Sequence, residues 1–107
     1  MEKTIEKDGL ILGEDGKTVL GVTDNTITKV VIPESVEVIE DWAFKDCHQI
    51  QILKLPKSLK RIGFGAFTCT KLEYVFFPEG VEEIEEAAFF NSSLATVTLP
   101  SESRGRF

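Results

Sequence analysis

The sequence predicts an α/β protein that is rich in short β-strands and built as a solenoid of repeats. An apolar residue and Pro, then a spaced Ile and an Ala-Phe pair, occur three times, ending at Phe44, Phe67 and Phe89. The prolines at 33, 56, 78 and 100 are spaced by 23, 22 and 22 residues. This period is typical of a solenoid, because so small a unit cannot bury its own apolar residues. We expect function to depend on the surface of the stack.

The first half of each repeat predicts a β-strand. Apolar residues occur at positions i, i+3 and i+5, and the last part alternates with a period of two. A Pro follows each run and ends the strand, because Pro has no N–H to donate. We expect four parallel strands on one face, at about 27–32, 50–55, 72–77 and 94–99.

The second half of each repeat is ambiguous between helix and extended chain. Its apolar positions at i, i+3, i+7 and i+8 fit a helical stripe as well as irregular structure. Several β-branched residues favour an extended piece near Val36, followed by a single helical turn near Ala43 and Phe44. The third copy is rich in Glu and Ala over 82–88 and is the most helical of the three by this criterion.

The segment 9–22 predicts a β-hairpin that caps the first repeat. Two apolar runs, 9–13 and 18–22, flank a turn that contains Asp15-Gly16, a strong hairpin signal. We expect a single domain of 107 residues, with the cap at 9–22, about three and a half repeats over 23–100 and a polar tail at 101–107.

Composition argues against several classes of function. The net charge of −6 disfavours nucleic acid, because phosphate binding needs clustered Lys and Arg. No stretch approaches the ~20 apolar residues of a membrane span. We expect no signal peptide in the first residues, because Met1 is not followed by a basic segment and an apolar run.

Candidate chemistry is weak, and we expect no enzyme, no cofactor and no metal. Cys47 and Cys69 follow the Phe of copies one and two and allow a disulfide, a metal pair or two half-buried thiols. The spacing does not decide a bridge, and thiols in a core are the commoner case. His48 is the sole histidine, and we expect it in a surface loop. Gly16-Lys17-Thr18 ends like a phosphate-binding loop but lacks the earlier Gly.

The repeated Phe residues are expected to form a continuous core rather than an aromatic binding site. Phe44, Phe67 and Phe89 occupy the same phase of successive repeats, so each ring should pack on the next.

The face formed by the predicted strands is the candidate binding surface. Side chains between the core positions should point outward and form a sheet surface with an apolar centre. Such a cluster of β-branched and aromatic residues is typical of an interface, although cross-strand packing alone is an alternative. The candidate residues are Val31, Ile52, Lys54, Tyr74, Phe76, Thr96 and Thr98.

The last repeat is a candidate for self-association. Residues 101–107 are too polar to cover Leu94, Val97 and Leu99. An uncovered strand edge is a template for another chain. The sequence therefore predicts pairing with a second copy or with further repeats, and a structural assembly unit is the alternative to a binding module.

The repeats resemble the BspA-like, or Treponema pallidum-type, bacterial leucine-rich repeats, whose pattern is V-x-x-I-G-x-x-A-F-x-x-C-x-x-L-x-x-I-x-I-P. Copy one matches it from Val36 through Ala43-Phe44 and Cys47 to Leu55-Pro56. The resemblance implies a curved leucine-rich-repeat solenoid with a parallel sheet on its concave face. It also implies recognition of a protein or cell-surface ligand without chemistry, in a secreted or surface-exposed protein.

Overall fold

The computed structural model describes residues 4–72, 74–85, 87–90, 92, 96–98 and 104–105. Within these ranges the chain forms eleven strands and no helix. The strands are β1 (Thr4–Lys7), β2 (Leu10–Gly13), β3 (Thr18–Val22), β4 (Lys29–Val31), β5 (Val38–Ile39), β6 (Ile52–Lys54), β7 (Arg61–Ile62), β8 (Tyr74–Phe76), β9 (Glu83–Ile84), β10 (Thr96–Thr98) and β11 (Arg104–Gly105).

One sheet runs the length of the repeat array. It has seven strands in the order β1-β2-β3-β5-β7-β9-β11. The first three strands are antiparallel, and every pair from β3 onward is parallel. Ile39 lies opposite Ile62, which lies opposite Ile84. Each repeat therefore contributes one buried Ile to the same row of the core.

The four predicted strands are present as β4, β6, β8 and β10, and they pair in parallel where they pair. β4 is hydrogen-bonded to β6 and β8 to β10, which gives two separate two-stranded sheets. Both pairs join equivalent positions of neighbouring repeats. The interruption between β6 and β8 is not predicted by the sequence pattern.

The predicted hairpin is formed by β2 and β3. The N–H of Gly16 donates to the carbonyl of Gly13 (2.9 Å), and the N–H of Lys17 donates to Oδ1 of Asp15 (2.9 Å). Gly16 has a φ of 72°, a conformation that glycine adopts without strain. β3 pairs with β5, and the buried side chains of the hairpin extend the core of the first repeat. The hairpin is thus continuous with the repeats.

The prediction of a helical turn near Ala43 and Phe44, and at the equivalent place in the other repeats, is wrong for the described residues. The chain is extended at β5, β7 and β9 and then makes non-helical turns. The equivalent residues Trp42, Gly65 and Ala87 have φ of 59°, 62° and 60°. A right-handed helix requires negative φ at every residue, so this position ends any helix. Even in the Glu-rich third copy, Glu83–Ile84 is a strand.

The predicted Phe core is present as a stack of parallel rings. The centroids of Phe44 and Phe67 lie 4.7 Å apart with an 11° interplanar angle, and those of Phe67 and Phe89 lie 5.3 Å apart at 5°. The backbone follows the same stack, because the N–H of Phe44 donates to the carbonyl of Ala66 (3.0 Å). Phe67, which is fully buried, contacts a ring on each side.

We predict that Phe67→Ala lowers the free energy of unfolding, because it removes the central ring of the stack. Truncating a buried Phe leaves a cavity and costs about 3–5 kcal/mol. Phe90→Ala, at a side chain that is 60% exposed, is the matched control. We expect it to change the free energy of unfolding by about 0.5 kcal/mol or less. Urea denaturation measures both, and equal losses would contradict the stack as the main source of stability.

Thr70 is a polar residue in an apolar position. It lies three residues after Phe67, as Cys47 lies three after Phe44, and it is 4% exposed. Its hydroxyl has no hydrogen-bond partner among the described residues. A buried hydroxyl without a partner costs free energy.

We predict that Thr70→Val stabilises the protein by about 1 kcal/mol, because it replaces this hydroxyl by a methyl group of similar size. Thr68→Val is the matched control, since the Thr68 hydroxyl donates to the carbonyl of Ala87 (3.0 Å). That change should destabilise. Thermal unfolding distinguishes the two signs, and a drop in Tm for Thr70→Val would show that its hydroxyl is satisfied.

Candidate functional site

The sheet formed by β4 and β6 presents an apolar and cationic surface. Lys29 lies opposite Ile52, and Val31 lies opposite Lys54. Val31 and Ile52 are each 50% exposed, and both lysines are exposed. Between them, Val30 points into the core at 2% exposure. The predicted alternation therefore places Val31, Ile52 and Lys54 together on the outer surface of this sheet.

The rest of the predicted surface is described only by its backbone. Tyr74 and Phe76 lie in β8, and Thr96 and Thr98 lie opposite them in β10. Their side chains are outside the described part of the structure. The predicted exposure of the two aromatic rings stays a prediction.

The predicted self-association edge is only partly described. Leu94 and Leu99 lie outside the described residues, while Val97 lies in β10, opposite Val75. In the described part of the chain, β10 has β8 as its one hydrogen-bonded neighbour. Sequence analysis missed β11, which continues the long sheet from β9. Strands pair through backbone hydrogen bonds, so the polar sequence of residues 101–107 carries no apolar alternation that would predict this strand.

The strands of the shorter sheets and of the long sheet differ in their charged residues. The sequences of β4, β6, β8 and β10 contain two lysines and no acidic residue. On the long sheet, Arg61 forms ion pairs with three carboxylates: Asp41 at 3.3 Å, Glu83 at 3.4 Å and Glu85 at 3.8 Å. A chain of net charge −6 thus has two exposed lysines and no carboxylate on the strands of its β4–β6 sheet.

A cleft beside these strands is the feature that sequence reasoning missed. Its volume is about 640 Å³, within the range of sites that hold small ligands. It lies where β6 of repeat two and β8 of repeat three end, and these two strands are not paired in the described part of the chain. The residues that line it are Leu53, Lys54, Leu55, Lys57, Phe77, Pro78, Glu79 and Gly80.

Cys47 lies in the core and lacks the exposure of a reactive thiol. It does not form a disulfide with Cys69, and its side chain is fully buried. Burial, followed by the charges of Asp46 and Asp24, raises the pKa of the Cys47 thiol to about 11. The thiol therefore stays protonated near neutral pH, whereas a nucleophile must be a thiolate. Asp46 (φ 65°) and Cys69 (φ 63°) occupy equivalent turn positions, so Cys47 and Cys69 are not structural equivalents.

His48 is a surface side chain, as the sequence predicts. Its Nδ1 lies 3.1 Å from the carbonyl oxygen of Cys69 and its Nε2 lies 4.0 Å from Oδ1 of Asp46. Among the described residues there is no group of three His, Cys, Asp or Glu side chains that could hold a metal ion. Within the same part of the chain, no helix has the length and apolar character needed to cross a membrane.

The repeats match a known family along most of their length. Residues 23–104 fit the model described as a BspA type leucine rich repeat region (6 copies). The chain belongs to the BspA-type leucine-rich repeat family. This confirms the family resemblance and the leucine-rich-repeat fold predicted from the sequence. No curated protein matches the chain.

Two solved structures are similar to this leucine-rich repeat chain. One is the pneumococcal vaccine antigen PcpA, with 25% sequence identity and a TM-score of 0.78 over 87% of this chain. The other is a leucine-rich repeat protein from Bacteroides ovatus ATCC 8483, with 23% identity and a TM-score of 0.54 over 91% of this chain. The chain spans 24% of the first protein and 32% of the second. The second likeness concerns the fold alone.

Proposed function

We propose that this chain is a non-catalytic interaction module that binds a protein or surface ligand through the concave sheet, by which we mean the face formed by β4, β6, β8 and β10. The observation that carries the proposal is the exposure of Val31 and Ile52, each 50%, on adjacent strands. The repeat family to which the chain belongs supports an interaction or structural role.

The chemistry of this sheet favours a partner that is both apolar and acidic. Each exposed aliphatic side chain gains free energy when it is removed from water, at about 25 cal/mol per Å². Lys29 and Lys54 lie beside these side chains and make no ion pair among the described residues. Carboxylates of a partner would therefore meet unpaired ammonium groups at the rim of an apolar contact.

We predict that Ile52→Asp abolishes partner capture. The substitution places a carboxylate in the apolar centre of the contact, where it must be desolvated. Ile5→Asp is the matched control, because Ile5 is similarly exposed (43%) but lies on β1, in the long sheet. Immobilised wild-type and variant proteins are incubated with the same extract, and the retained proteins are compared by mass spectrometry.

The expected result is that proteins retained by the wild type are lost from Ile52→Asp and kept by Ile5→Asp. An identical set retained by all three proteins would contradict binding through the concave sheet. Circular dichroism of each variant verifies that the fold is kept.

A second candidate function is self-association through β10, proposed because this strand has one paired neighbour in the described structure. An open strand edge offers N–H and C=O groups to another chain. We expect the sedimentation coefficient to rise with concentration and the amides of 96–98 to gain protection from hydrogen exchange. A constant monomeric coefficient would contradict this assembly role.

A further inference from the structure

Beside the cleft, the inner apolar residues of β6 and of the position after it are less covered than their equivalents in the adjacent repeats. Leu53 is half-buried, whereas its equivalents Val30 and Val75 are 2% and 4% exposed. Leu55 is also half-buried, whereas its equivalents Ile32 and Phe77 are 3% and 6% exposed. The interrupted pairing of β6 and β8 occurs at the same place. Two Leu side chains therefore form an apolar wall that is accessible from outside.

Phe77 of repeat three forms the opposite wall and packs against Phe89 of the same repeat. Its ring meets that of Phe89 edge-on, with centroids 5.7 Å apart and planes at 77°. The equivalent positions in the earlier repeats hold the smaller aliphatic residues Ile32 and Leu55. The ring is anchored on the Phe stack, so the far wall of the cleft is a rigid part of the core.

The rim of the cleft is cationic. Lys54 and Lys57 line it, and the Lys60 ammonium lies 3.7 Å from where a Cβ on Gly80 would be. Unlike Lys17 and Arg61, these three lysines make no ion pair among the described residues.

Carboxylates near the cleft are fewer than the lysines. Glu79 lines the cleft, and Glu34 accepts a hydrogen bond from the backbone N–H of Lys57 (3.2 Å). Of the charged residues that line the cleft, two are lysines and one is a carboxylate, so the lining is net positive on a chain of net charge −6. The site therefore attracts negative charge while the protein as a whole repels it.

We propose that this cleft binds an aromatic or large aliphatic side chain carried by an acidic segment of a partner protein. The proposal rests on the interaction function proposed above and names the chemistry of the partner. A volume of about 640 Å³ is ample for one aromatic side chain and its adjoining backbone. Flanking carboxylates pair with Lys54 and Lys57 at the rim. The cleft shares Leu53 and Lys54 with β6, so a partner on the concave sheet reaches it directly.

Selection from a phage-displayed library of random short peptides tests this inference on the full chain. We expect the selected peptides to contain an aromatic or large aliphatic residue flanked by Asp or Glu. Synthetic versions of these peptides are then titrated into the wild type and into Lys57→Glu, with fluorescence anisotropy as the measurement. Charge reversal at the rim should weaken binding about tenfold or more. Lys45→Glu, at an exposed lysine outside the cleft, should bind like the wild type.

Amide chemical shifts recorded during the same titration locate the peptide. Shifts at Leu55, Lys57 and Gly80 support the cleft. Shifts confined to Val31 and Ile52, with unchanged affinity in Lys57→Glu, would contradict peptide binding in the cleft. They would leave the proposed function of the concave sheet standing. Failure to select any peptide, or selection of peptides without acidic residues, also overturns it. The capture experiment with Ile52→Asp tests the broader function independently.

Discussion

Stacking of one repeat on the next is the constraint on which the rest of this structure depends. No repeat encloses its own apolar residues, so the ring of Phe67 is buried only because Phe44 and Phe89 lie on its two faces. The backbone links the same neighbours, because N–H groups of one repeat donate to carbonyls of the next repeat. The N-terminal hairpin extends this arrangement, because β3 pairs with β5 as one repeat pairs with another. Stability is thus a property of neighbours rather than of single repeats.

The same stacking positions the candidate sites. Pairing of equivalent residues sets Val31 beside Lys54, so side chains 23 positions apart in the sequence form one surface. Where the ring of Phe77 packs on Phe89, the strands of repeats two and three are not paired in the described part of the chain, and a cleft opens beside Lys57. A regular array therefore supplies the candidate contact surface, and one irregular step supplies the cleft beside it.

The sequence predicts the features that depend on repeat phase and misses those that depend on local backbone or packing. The Pro and Phe periods predict the strands and the ring stack, and Asp15-Gly16 predicts the hairpin. The apolar spacing after Val36 fits a helix equally well, and the positive φ that excludes it occurs at residues as different as Trp42 and Ala87. No residue type marks such a position. The cleft depends on how side chains of different size pack at equivalent positions, here Ile32, Leu55 and Phe77, which a repeat pattern does not encode.

The most direct test of the stacking account is whether the repeats unfold together. Trp42 is the sole tryptophan, and it bridges repeats one and two. Its backbone N–H donates to the carbonyl of Phe64 (2.9 Å), and the rings of the two residues meet edge-on with centroids 5.3 Å apart. Urea unfolding followed by its fluorescence and by far-UV circular dichroism should give coincident transitions, because the stack couples all repeats. A separate fluorescence transition, with much of the dichroism signal retained, would show that the repeats are held independently and would contradict the account.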